Sequence, residues 1–303
     1  MSNEFFSSPR DDIAFIRVAG ADADGFLQAQ LALNIHSLGG NGARLAPWLN
    51  AKGRVTAIFS LARLAQGDWL MSGHRSMIDF LVRRLRMFVL RAAVDISLEH
   101  DAWQALVLAG TNDDALTTRF PTSGDVHAWD RRDGLLWRET LPGAIEVWGP
   151  QAPLAALQAA IPEDARALTL WRQRWLLAGL PSISRQEQDR FTGHMLNLDL
   201  LGALSFDKGC YPGQEVVART ENLGRPKRRA LLFHCAEEVP DPGTRVVDAS
   251  GDSQGEVLLA APGETNLTLA VVTLAKADQP MFVGASSGPR LERAALPYTI
   301  PEL

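Results

Sequence analysis

The strongest constraint on the fold is the order in which short strand-like runs and short helical stretches alternate between Asp12 and Ala160. Asp12–Val18 reads as a strand, and Asp22 stands where an N-cap would open a helix running to about Leu31. Leu45–Asn50 and Arg54–Leu61 are two apolar runs joined by Ala51-Lys52-Gly53, a hairpin connection. A strand at Asp68–Met71 precedes a helix over Arg75–Phe88, in which Ile78, Leu81, Leu85 and Phe88 recur at helical spacing. Val94–Leu98 is again a strand. Trp103–Leu108, Asp113–Thr118, Asp125–Trp129, Gly134–Glu139, Ala144–Trp148 and Pro153–Ala160 then run strand, helix, three strands and helix. The order is repeated although no residue-level repeat accompanies it, and it predicts two α+β subdomains.

Asp164 is placed to cap a helix over Ala165–Ala178, which Gly179-Leu180-Pro181 ends. Pro181–Gly224 has weaker periodicity and many turn residues. Beyond it, Arg229–Cys235, Thr244–Val247, Ser253–Ala260 and Leu267–Thr273 are short strands separated by Pro/Gly/Asp turns, the pattern of a small closed or sandwiched β domain. The chain therefore divides into an α+β region at 1–224 and a β domain at 225–303. No apolar run approaches the roughly 18 residues of a membrane span, and Met1–Phe6 lacks a basic start and apolar core. A cytoplasmic protein without membrane contact is expected. A net charge of −5 argues against a dedicated nucleic-acid binder.

The densest chemistry lies in Ser205–Arg219. Gly209 and Gly213 flank Cys210 and allow a tight turn that opens the sulfur to solvent. Lys208 and Arg219 would bring positive charge, which favours the thiolate, and Gln214 and Glu215 add polar groups. The competing reading makes Cys210 a small apolar residue buried in a loop. Cys235 ends the apolar run Leu231–His234 and is expected in the core. His194 and His234 lie in no motif that would pair them with Cys210 as a base. The six histidines show no zinc-type spacing, so no metal site is expected. Two cysteines also cannot supply the roughly four thiolates of a conventional iron–sulfur site. Trp171 and Trp175 share a helix face, either as core or as a stacking platform for a flat ligand. Arg225, Lys227, Arg228 and Arg229 form a basic run that is either a solvated face or an attractor of anions.

At these residues the sequence resembles a known family. Lys208-Gly209-Cys210-Tyr211-Pro212-Gly213-Gln214-Glu215 with Ala218-Arg219 is similar to the signature of YgfZ-type proteins, a branch of the aminomethyltransferase superfamily that includes the glycine-cleavage T-protein. Trp171, Ala178-Gly179-Leu180-Pro181, Asn197-Leu198, Leu204-Ser205-Phe206 and the hairpin Asn50-Ala51-Lys52-Gly53-Arg54 extend the likeness, although Gly193-His194 stands where relatives tend to have Pro-Gln. The resemblance implies two interleaved ferredoxin-like α+β subdomains and a C-terminal β-barrel, in a ring around a central channel. It implies tetrahydrofolate as cofactor, with Trp171, Tyr211, Gln214, Glu215 and Arg219 as binding residues and Cys210 and Lys208 as the reactive pair. It further implies folate-dependent assembly or repair of iron–sulfur enzymes, tRNA-modifying ones among them, with those enzymes or their assembly proteins as partners. Whether Cys210 turns over a substrate is left open by the motif. The alternatives are a glycine-cleavage aminomethyltransferase and a non-enzymatic tRNA- or protein-binding module.

Overall fold

A computed structural model describes residues 5–38, 42–99, 102–110, 113–122, 129–236 and 238–301. The chain runs through β1 (Phe5–Pro9), β2 (Ile13–Ala19), α1 (Ala23–Gln30), β3 (Gly42–Leu49), β4 (Val55–Ala65), β5 (Asp68–His74), α2 (Ile78–Arg86) and β6 (Asp95–Leu98). It continues through β7 (Trp103–Gly110), α3 (Asp113–Arg119), β8 (Asp130–Arg132), β9 (Leu135–Leu141), β10 (Ala144–Pro150), α4 (Gln151–Ala159), α5 (Arg166–Leu177) and α6 (Gln214–Leu223). Then follow β11 (Arg228–Cys235), β12 (Arg245–Asp248), β13 (Ser253–Ala261), β14 (Asn266–Thr273), β15 (Met281–Val283) and β16 (Arg290–Arg293). Among the described residues no helix is long and apolar enough to cross a membrane.

The first sheet has the order β3-β4-β5-β2-β6 and the second β1-β7-β10-β9-β8. Every pairing is antiparallel. In the first, β2, β4, β5 and β6 with α1 and α2 give a ferredoxin-like arrangement to which β3 is added at the edge. The second repeats it with one exchange. The edge position that a strand following α4 would take is filled by β1, which pairs with β7 as β6 pairs with β2. The two subdomains are thus interleaved. The third unit is a closed barrel of β11-β14-β13-β12-β15-β16.

β2 explains how the sheets stack. Ala14, Ile16 and Val18 pack with Leu27 and Leu81 from the helices, while Ile13 and Phe15 pack with Trp129 and Trp148 from the other subdomain. A strand buried on both faces reads as a nearly unbroken apolar run, as Ile13–Val18 does. The Phe15 and Trp148 rings meet edge to face at 4.9 Å, and Trp129 lies 4.1 Å from Trp148.

Several expectations are revised here. Asp22 caps nothing with its side chain; its carboxylate accepts the Ala93 N–H at 2.7 Å and ties α1 to the segment before β6. The helix expected over Arg75–Phe88 is a single 3-10 turn followed by α2. The strand expected at Asp125–Trp129 lies, apart from Trp129, outside the described residues. β1, β15 and β16, of five, three and four residues, are too short for a strand period to be read from sequence.

The inner face of the second sheet holds a charge. Glu146, on the same side of β10 as Trp148, is 1% exposed. It accepts from Arg138 at 2.8 Å, from Arg10 at 3.1 Å and from the Trp148 indole at 3.0 Å. Arg138 reaches across to Ser60 Oγ on β4 at 2.7 Å, and Arg10 grips Asp12 through two bonds of 2.9 Å. Burial alone would push the Glu146 carboxyl up, but Arg138 and Arg10 hold it below its ordinary value. Glu146→Gln should therefore cost about 3–5 kcal/mol at pH 7, because it leaves Arg138 buried without its anion and Arg10 with Asp12 alone. A depressed folded-state value means that the stabilisation is present above the ordinary carboxyl range and fades as pH falls through the folded value. Denaturant titrations of both proteins should show the largest gap at pH 7 and a smaller one near pH 3.

Candidate functional site

α5 is wedged between the second sheet and the barrel, touching β1 and β7 on one side and β13 and β14 on the other. Where it meets both, a cavity of about 520 Å³ opens, walled by Arg10 and Asp12, His74, Trp171 and Trp175, Glu187, and Leu258–Ala261 of the barrel. A smaller cavity of about 50 Å³ shares Arg10, Asp12, His74 and Trp175 and reaches Arg138 and Glu146. The first sheet, α5 and the barrel contribute walls, so the cavity lies where these elements meet.

Trp171 is 3% exposed in this wall. Its ring stacks on Trp175 at 5.0 Å, and the Arg10 guanidinium lies 4.1 Å from its centre. The open platform suggested by the sequence is thus a ring already engaged by two neighbours. Neither indole N–H, of Trp171 or Trp175, has a hydrogen-bond partner. Asp12 would be raised by burial but is held below its ordinary value by Arg10. Burial lowers His74, against the pull of Asp12 and Glu187. Its Nδ1 accepts the Ser76 N–H at 3.2 Å. Asp12, His74 and Glu187 were not singled out from the sequence. Asp12 reads there as a strand flank, and the pairing that brings it opposite His74's end of β5 is a property of the sheet.

The signature segment forms the turn leading into α6, and the Asn50–Arg54 hairpin packs on it. Gly213 has φ 79° and Gly53, in the hairpin between β3 and β4, has φ 68°. A Cβ on Gly213 would lie 2.5 Å from the Asn50 carbonyl oxygen, and one on Gly53 2.8 Å from Val216 Cβ. The two backbones touch, and only glycine allows it. Tyr211 is buried and donates its hydroxyl to the Ser205 carbonyl at 2.9 Å, with burial pushing the phenol up to about 12. Gln214 donates to the Lys208 carbonyl at 3.3 Å.

Lys208 corrects the expectation built on it. Its ammonium donates to the carbonyls of Gln28, Leu31 (2.6 Å) and Leu33 (3.0 Å) at the end of α1. All three N–H groups are used on backbone, and the cation sits 5.1 Å above the Tyr211 ring. Burial pushes it down to about 8, and the carbonyl cage favours the charged form. Lys208 thus fastens the signature turn to the first subdomain. Arg219 pairs with Glu215 one helical turn away at 3.0 Å, both highly exposed, a contact worth about 0.5 kcal/mol or less.

Cys210 is exposed and Cys235 buried, and both are free thiols. Neither Cys210 nor its signature neighbours line the central cavity. The residues singled out from sequence therefore separate into a cavity wall holding Trp171 and an exposed turn holding Cys210. The basic run also differs from its expected role: Arg229 is 3% exposed and pairs with both Asp199 oxygens at 2.9 and 2.7 Å. His194, Asp199 and Glu221 bring potential ligand atoms within 4.8 Å of one another, but Arg229 already occupies both Asp199 oxygens.

No family model matches the chain. It is 29% identical over 311 residues to the tRNA-modifying protein YgfZ of Edwardsiella ictaluri (strain 93-146), covering 95% of this chain and 91% of that one. It is 27% identical to the protein of the same name from Escherichia coli (strain SE11), covering 96% and 93%. It is also 27% identical to an uncharacterized protein of Haemophilus influenzae, covering 95% and 96%. Among solved structures, the glycine cleavage system aminomethyltransferase T from Bartonella henselae superposes with a TM-score of 0.76 at 16% identity, covering 97% of this chain and 86% of that one. The last likeness is one of fold: the chain has the aminomethyltransferase architecture.

Lys208→Met should lower stability by about 1–3 kcal/mol by stranding buried carbonyls. In the variant's native state the rate of Cys210 alkylation by iodoacetamide should stay within about twofold of wild type, since the ammonium is spent elsewhere. A large fall in that rate would return Lys208 to the sulfur. In the wild-type protein Cys210 should label at once and Cys235 only after unfolding, which mass spectrometry of quenched digests would read.

Proposed function

We propose that this chain, similar over about 95% of its length to YgfZ-type proteins, binds a tetrahydrofolate in the central cavity and serves the assembly or repair of iron–sulfur enzymes, tRNA-modifying ones among them, in the cytoplasm. The observation that carries the reading is the cavity itself. It has about 520 Å³, lies where the first sheet, α5 and the barrel meet, and is walled by two tryptophans and an apolar strand with a few polar groups between them. That composition and size suit a flat heteroaromatic ligand of a few hundred daltons. The residues present fit such a ligand on a second count, because two buried indole N–H groups and one Glu187 oxygen are left without partners. Bound there, the folate would supply one-carbon chemistry. Arg10, Asp12 and the tryptophans would hold and shield it.

The exposed thiol of Cys210 is assigned to the sulfur-dependent part of the role, outside the cavity. Cys235, in the barrel core, is assigned packing alone.

Titration with tetrahydrofolate should quench tryptophan emission in a saturable way. Trp171→Phe, which keeps the wall filled, should weaken binding several-fold, and an unchanged dissociation constant would remove Trp171 from the site. Cys210→Ala should fold normally yet fail to restore iron–sulfur enzyme activity in a bacterium lacking its own relative. Cys235→Ala should restore activity with a stability loss of about 1 kcal/mol. Full restoration by Cys210→Ala would leave the signature an architectural element. Glycine-cleavage activity in a reconstituted assay would instead favour the aminomethyltransferase reading.

A further inference from the structure

Arg44 is a buried cation without a counter-ion. It stands in β3 where the register against β4 jumps from Ala43 to Ala46, which leaves Arg44 and Leu45 together opposite Ser60. An extra residue at such a bulge is re-aimed out of the strand's alternation. Arg44 and Leu45 accordingly both line the small cavity of about 50 Å³. Arg44 is 8% exposed. Its Nη2 donates to the Glu139 carbonyl at 2.9 Å, while its Nε is buried without a hydrogen-bond partner. It forms no ion pair among the described residues.

The carboxylates within reach are engaged elsewhere. Glu146 accepts from Arg138, Arg10 and the Trp148 indole. Asp12 is gripped by both arms of Arg10. Glu139 turns its carboxylate to the Gly143 N–H at 3.3 Å and the Thr122 hydroxyl at 3.4 Å, and meets Arg44 only through its backbone. Among the described residues the cluster thus sets three guanidiniums, of Arg10, Arg44 and Arg138, against the carboxylates of Asp12 and Glu146. Burial and the neighbouring Arg138 push Arg44 down to about 10, against the weaker pull of Glu146 and Glu139. It is therefore still charged at neutral pH, and a buried charge left unpaired is costly.

Independently of the folate reading, we infer that the small cavity is a binding site for one compact monovalent anion, held by Arg44 with the Ser72 hydroxyl in the same wall. The charge count sets the valence, since a dianion would overturn the balance that a single negative charge restores. The volume sets the size. A buried water needs roughly 10–15 Å³, so this cavity admits a halide or the smallest carboxylate, formate, and excludes a sugar acid.

The test uses the full-length protein without folate. Sodium gluconate is replaced stepwise by sodium chloride or sodium formate at fixed ionic strength, so that screening is constant. The unfolding midpoint should rise and level off, by about 2 °C once the anion stands at ten times its dissociation constant. The larger rise identifies the better ligand, halide or carboxylate. Arg44→Met should lose the rise, and Arg185→Met, at an exposed arginine of the central cavity, should keep it. Crystals of the wild type grown in sodium bromide should show an anomalous peak in contact with the Arg44 guanidinium, a readout that does not depend on the variant folding. Equal midpoints in all three salts with no bromide beside Arg44 would overturn the site. A rise that survives in Arg44→Met, or vanishes in Arg185→Met, would overturn it equally.

Discussion

The packing of the two sheets against each other leans on one buried acid. Glu146 stands on the face of the second sheet that packs against the first, where a strand position of that parity is otherwise filled by residues such as Trp148. A lone carboxylate there would be expelled or protonated. It is tolerated because Arg138 approaches from the neighbouring strand and Arg10 from the link between β1 and β2. Since Arg138 also reaches Ser60 of the first sheet, and Arg10 also covers Trp171, the acid sets the spacing of both sheets and of α5. An apolar substitute of the same volume would fill the space, but it would not fix the positions of two guanidiniums. The cavity exists in its present shape because those groups do not slide.

The signature turn is held by a second kind of constraint, contact between backbones. Gly53 and Gly213 let the β3–β4 hairpin and the start of α6 approach within van der Waals distance, and Lys208 adds three bonds to the end of α1. Both anchors belong to the first subdomain. Most of what the motif specifies, including the buried Tyr211, is therefore position. Cys210 is the member left facing solvent. A rigid mount for an accessible sulfur is a reasonable use of so much local specification.

The sequence disclosed the α+β regions, the barrel and the burial of Cys235, because each depends on local periodicity or turn chemistry. It did not disclose where charged side chains go. Lys208 beside Cys210 in the chain suggested a cation beside a sulfur, yet a lysine side chain is long enough to reach the end of α1 instead. Arg229 was read with Arg225, Lys227 and Arg228 as a solvated face or an attractor of anions, and only the alternation of β11 turns it inward to Asp199. Glu187 sits in a stretch of polar residues with no period at all; its burial follows from the way 181–190 folds over the cavity. These placements are set by partners far along the chain, which a local pattern does not encode.

The exchange of edge strands has a bearing on how the chain is made. β1 leaves the ribosome before β2–β6, but its partner is β7, with Phe5 opposite Gly110. The whole first sheet lies between them in sequence and can close before β7 is available. During that interval β1 is an unpaired strand with open backbone donors and acceptors, the state most prone to wrong pairing. Its makeup suits the wait: Phe5-Phe6-Ser7-Ser8-Pro9 is short, half polar and ends in a proline. A stickier first strand would close the second sheet just as well once β7 arrived, at greater risk to every nascent chain.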